Sequence, residues 1–140
     1  MKSLLIRNLL LSISVCLLAA CNEAGKPQEQ SVIVTAANET AALTRLRAIA
    51  QAERRYQVES AGEYASLDQL VAKGYLNDPT RGKLSGYRFV VKTKPGGFEA
   101  TAVPERFGVT GTRSFYVDEM NVVHGADKKG AAATSSDPEV

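Results

Sequence analysis

The chain has 140 residues, with 17 Lys and Arg against 15 Asp and Glu, one histidine and two cysteines. Lys2 and Arg7 are the sole charges among the first 20 residues, so residues 21–140 carry as many bases as acids. A body of balanced charge argues against a nucleic-acid partner, because phosphate binding draws on clustered cations. With Cys16, Cys21 and His124 as its whole stock of thiols and imidazoles, a four-ligand Cys/His zinc centre is excluded.

The amino-terminal element is a leader. Met1-Lys2-Ser3 through Arg7 is a short basic start, Leu9 to Ala20 is an apolar run of 12, and Leu18-Ala19-Ala20-Cys21 sets small residues before a cysteine. This is the layout of an export signal. As a helix, 12 residues span roughly 18 Å at ~1.5 Å each, too short for a hydrocarbon core about 30 Å thick. The tetrapeptide resembles the bacterial lipoprotein signal, Leu-Ala-(Ala/Gly)-Cys. That resemblance implies cleavage before Cys21, lipid on its sulfur and acylation, such as palmitate, of its new amino group. Acyl chains hold a protein to a bilayer through about 0.8 kcal/mol per buried CH₂. Asn22, where an aspartate favours inner-membrane retention, points by the same resemblance to the outer membrane, facing the periplasm. Loss of Cys16 and acylation of Cys21 leave no thiol pair for a disulfide.

Residues 21–37, with Gly25, Pro27, Gln28, Glu29, Gln30 and Ser31, read as a flexible tether. Within them Ser31-Val32-Ile33-Val34-Thr35 is either a short strand or the run-up to a helix. The main helix is expected over Asn38 to Glu59, with Asn38 as N-cap and Glu39 in the first turn. Leu43, Leu46, Ile49, Ala50 and Tyr56 share one face at three- and four-residue spacing, with Arg45, Arg47, Gln51, Arg54 and Arg55 mostly away from it. Ala61-Gly62 ends this helix. Ser66-Leu67-Asp68-Gln69 fits a capping box for a short second helix that Lys73-Gly74 closes, and Asn77-Asp78-Pro79 opens a loop. From Gly86 the period becomes two: Tyr87, Phe89 and Val91, then Phe98, Ala100 and Ala102 after a Pro95-Gly96-Gly97 turn. Ser114 to Val117 is a third strand and Val122 to His124 a fourth, joined by a tight connection in which Asn121 tolerates the left-handed conformation. The short linkers predict an antiparallel meander with the helix on one face. The expected domain therefore covers residues 38–126 and is α+β, a long helix on a four-stranded antiparallel meander. Residues 127–140 are small and polar and are expected to be disordered.

This order of elements resembles type IV pilins and type II secretion pseudopilins over roughly residues 40–125. Ala48-Ile49-Ala50-Gln51-Ala52-Glu53-Arg54-Arg55-Tyr56 looks like the end of a pilin first helix. Gly62-Glu63-Tyr64-Ala65-Ser66-Leu67-Asp68-Gln69-Leu70 is similar to the segment that follows it. Gly86-Tyr87-Arg88-Phe89, Phe98 to Pro104 and Gly108 to Asp118 are similar to the strands. The chain departs from pilins at its start: Gly-Phe-Thr-Leu-Ile-Glu, the peptidase site, is absent. The resemblance implies a pilin-like head carried on lipid, with pilins or pseudopilins as partners and no catalysis.

Four chemical candidates stand beside that reading. His124 with Ser114 and Asp118 holds the ingredients of a nucleophile and base, yet no Gly-x-Ser-x-Gly elbow is present. Asp118, Glu119 and Asn121, with Asp127, offer oxygens for calcium, which asks for six to eight. Some pseudopilins bind calcium near their last strands, and an envelope-tethered calcium or small-ligand module is the alternative function. Glu99 and Glu105, or Asp118 and Glu119, are carboxylate pairs of the kind glycoside hydrolysis uses. Tyr56, Tyr64, Tyr75, Tyr87 and Tyr116 offer stacking surfaces for glycans or peptides, or filling for the helix–sheet junction.

Overall fold

The computed structural model describes residues 27–77 and 86–140. The leader, Cys21 and the Asp78-Pro79 part of the expected loop lie outside them. Helix α1 (Pro27–Glu59) is followed by α2 (Leu67–Ala72), β1 (Tyr87–Lys94), β2 (Gly97–Pro104), β3 (Ser114–Asp118) and β4 (Val123–Ala126). The strands form one antiparallel sheet in the order β1-β2-β3-β4. The expected α+β class, with one long helix on a four-stranded meander, is therefore observed.

Helix α1 begins eleven residues before the predicted N-cap. Pro27 stands at its first position, where the missing N–H is no loss and the fixed φ suits a helix. A proline read as tether punctuation is here a helix start. The branched run resolves as helix, with Thr35 Oγ1 donating to the Ser31 carbonyl at 2.8 Å and Thr40 Oγ1 to that of Ala36 at 3.0 Å. Residues 27–37 are therefore helical rather than a flexible tether. Ala42, Leu46, Ile49, Ala50, Ala52 and Tyr56 are buried, and the helix lies on the inner face of the sheet against β2 and β3. Ala61 and Gly62, both with positive φ, end it. Ser66 and Gln69 make the expected reciprocal capping box, and Gly74 at φ 77° follows the C-cap Lys73.

Tyr87, Phe98, Ala100, Ala102, Phe115 and Val117 line the inner face and pack with α1. Pro95 and Gly96 form the two-residue link between Lys94 and Gly97, and Asn121 takes φ 61°, as its residue type allows. Gly125 lies directly opposite Phe115, and a Cβ on it would sit 2.6 Å from the buried ring.

Residues 127–140 are folded, which corrects the expectation of a disordered tail. They pass beside the outer face of the sheet and return along β4. Gly125 N donates to Pro138 O at 2.8 Å, Val140 N to Val123 O at 3.0 Å, and His124 pairs with Glu139. Asp137 is the clamp: it accepts from Thr134 N at 2.8 Å and from Lys128 Nζ at 3.0 Å. These local hydrogen bonds do what composition alone does not report. The tail buries Ala133 and forms, with Arg88, Val90, Lys92, Thr101 and Val103, a groove of about 520 Å³.

Candidate functional site

Two polar residues of α1 tie the helix to the segment between β2 and β3. Asn38 is not the N-cap. It sits inside the helix and its Nδ2 donates to the Thr110 carbonyl at 3.0 Å. Glu39, expected in a first turn, points to the same segment and accepts from Thr112 N at 3.0 Å, Thr112 Oγ1 at 2.9 Å and Arg113 N at 3.2 Å. Tyr87 Oη donates to Arg113 O at 2.7 Å, and burial with the Glu39 charge pushes this phenol well above the ordinary tyrosine range. The segment between β2 and β3 is thus held to the helix by the Asn38 amide and the Glu39 carboxylate.

Asp118, Glu119 and Asp127 each have partners, while Glu119 Oε2 is buried without one. Asp118 Oδ1 accepts from Met120 N at 3.0 Å and Oδ2 from the Tyr116 hydroxyl at 3.1 Å. Burial and the Asp118 charge push the Tyr116 phenol up. Glu119 pairs with Lys94 at 3.4 Å, and Lys94 also reaches Glu99 at 3.5 Å. Asp127 pairs with Lys129 at 2.8 Å. Asp118, Glu119 and Asn121 face a cleft of about 30 Å³ that Arg54 also lines, room for about one water. A guanidinium in that cleft opposes a second cation there. Among the described residues no group of three or more His, Cys, Asp or Glu is placed to hold a metal ion.

His124, Ser114 and Asp118 are not assembled into a relay. His124 lies opposite Tyr116 and Ser114 opposite Ala126. His124 Nδ1 meets the Asp137 carbonyl at 2.7 Å, so that nitrogen carries the proton. The Ser114 hydroxyl is buried with no hydrogen-bond partner. Glu99 and Glu105 are six residues apart along an extended segment, roughly 20 Å, beyond the separations that glycosidase carboxylates adopt. Glu99 and Asp118 are instead cross-strand neighbours. The tyrosines take up junction positions: Tyr56 packs edge-on to Tyr75 at 5.5 Å, Tyr64 against Phe98 at 5.5 Å and Tyr87 against Phe115 at 6.0 Å. Tyr116 stands on the outer side near His124, at 6.2 Å.

Glu53 was missed by the sequence reading. Its side chain is fully buried; Oε2 accepts from Ala65 N at 3.0 Å and Oε1 has no partner. Burial pushes its carboxyl above the ordinary range, against the lowering effect of the Ala65 hydrogen bond. The signal was available, because Ala42, Leu46, Ile49, Glu53 and Tyr56 continue one 4-3-4-3 spacing.

Among the described residues no helix is long and apolar enough to cross a membrane. Comparison with known protein families, curated proteins and solved structures gives no significant match.

Proposed function

We propose that the chain is a bacterial envelope lipoprotein, held by acyl chains on Cys21, whose α+β domain is pilin-like and serves as a non-catalytic structural or interaction component. The observation that supports this reading is the shape of α1. One face of its second half is buried on the sheet, while residues 31–34 stand exposed on its N-terminal stem, nearer Cys21 in sequence. A rigid stem joined to a lipid foothold suits a module that is presented from a membrane and docks beside other envelope components. The partners proposed are pilins or pseudopilins of type IV pilus or type II secretion machinery, and the location is the periplasmic face of the outer membrane. Asp118 accepts within its turn, Glu119 pairs with Lys94, and His124 meets the Asp137 carbonyl.

Two measurements test it. Cys21→Ala is expected to leave a longer, unacylated precursor, seen as an intact-mass increase equal to the leader less the missing acyl groups. Normal maturation of that variant would sink the anchor. Affinity capture from detergent-solubilised envelopes is expected to enrich pilin-like or secretion subunits, and their absence from the capture would remove the proposed partnership.

A further inference from the structure

Among the described residues, exposed apolar side chains are concentrated where the start of α1 meets the segment between β2 and β3. Val32, Ile33 and Val34 on α1 are all more than half exposed, and Val109 is 53% exposed. Thr35, one turn after Val32, approaches the Val109 carbonyl at 3.4 Å, so the stem and the segment between β2 and β3 share this end. Phe107, also exposed, belongs to the same segment.

That segment holds itself in shape. Gly108 N donates to Gly111 O at 2.8 Å, Thr110 N to Arg106 O at 2.9 Å, and Arg106 N to Thr110 Oγ1 at 3.1 Å. Phe107 and Val109 are therefore presented by a closed turn. Charges flank them: Arg106 is adjacent in sequence, after Glu105, and Lys129 Nζ, paired with Asp127 at 2.8 Å, stands 5.5 Å from the Phe107 ring centre. Apolar tips beside Arg106 and Lys129 suit the boundary between acyl chains and anionic headgroups, where a phosphate would compete with Asp127 for Lys129.

The reach of the chain fits the same occupant. Pro27 is six residue steps after Cys21, a reach of no more than ~21 Å at about 3.5 Å per step. Five further helical residues to Val32 add ~7.5 Å. Val32 therefore cannot lie more than about 30 Å from Cys21, whereas Val58 is ~39 Å farther along α1.

We propose that this end rests on a lipid surface, with Val32, Ile33, Val34, Phe107 and Val109 entering the interface and Arg106 and Lys129 meeting anionic phosphate headgroups. The orientation rests on the proposed acyl anchor at Cys21. It fixes how the domain stands on the bilayer, which the anchor alone leaves open.

The mature protein is tested in vesicles of phosphatidylethanolamine and phosphatidylglycerol carrying brominated acyl chains. An environment-sensitive fluorophore is attached in turn to Ile33→Cys, Val109→Cys, Val58→Cys and Met120→Cys. Labels at 33 and 109 are expected to shift to the blue and lose most of their emission, while those at 58 and 120 keep theirs. Equal responses at all four sites overturn the proposal. So does shielding at 33 and 109 that occurs in native envelopes and not in protein-free vesicles, which assigns the surface to a protein partner. The double variant R106E/K129E is expected to restore emission from the label at 109, and unchanged quenching would remove the headgroup contact. Intact mass of the same samples reads acylation of Cys21 separately, so a failed anchor and a failed surface give different results.

Discussion

Glu53 places a carboxyl where the packing of α1 calls for an apolar side chain. It keeps one hydrogen bond, from Ala65 N, which joins the helix to the segment leading into α2. Its folded-state affinity for a proton is raised above the ordinary value of 4.5 by burial. The sign follows from linkage: the folded chain binds this proton more tightly than the unfolded one, so the contribution to stability is full below pH 4.5 and is lost as pH rises through the folded value. Glu53→Gln keeps an acceptor for Ala65 and removes the ionisation. It is expected to melt at a higher temperature than the parent at neutral pH and to show no such advantage below pH 4.5, measured by thermal circular dichroism. The residue lies on a periodic core stripe, so its burial was legible. Its partner was not, because nothing in the sequence pairs Glu53 with an amide twelve positions on.

At the scale of elements, close approach decides what the sheet tolerates. Phe115 is fully buried and its ring occupies the space above Gly125. Gly125→Ala is expected to destabilise the fold by about 1–3 kcal/mol, the usual cost of forcing added volume into a packed site, read from denaturant titration. α2 was the most legible element, since Ser66 and Gln69 carry their capping geometry in sequence spacing. The strands were legible through alternation, and the Asn121 turn through its tolerance of positive φ. The start of α1 was not. Pro27 punctuates a loop and opens a helix equally well, and Asn38 is as suitable for a long-range hydrogen bond to Thr110 as for a cap. Val103 shows the same limit: by alternation it belongs to the outward set, yet it is buried beside the returning tail.

For the molecule as a whole, the tail answers to acid in the opposite sense from Glu53. Thr134 N–H and the Lys128 ammonium hold the Asp137 carboxyl below its ordinary value of 3.8. A lowered folded value gives stability that is present above pH 3.8 and is lost as pH falls through the folded value. Asp137→Ala is expected to remove amide-exchange protection at Gly125 and Val140 while leaving the β1–β2 amides protected. Equal protection in parent and variant would show that the strand pairing at Glu139 suffices alone. Small polar residues hid this from composition: the ordering of 127–140 comes from a few directed bonds rather than from apolar content.

The return of residues 138–140 has a bearing on self-assembly. Unpaired backbone along an outermost strand is a template for further chains, and here the β4 margin is already taken by the chain's own Pro138 and Val140. Recruitment of a foreign strand on that flank would first have to displace them, so polymer growth by sheet elongation is opposed there by the chain's own backbone.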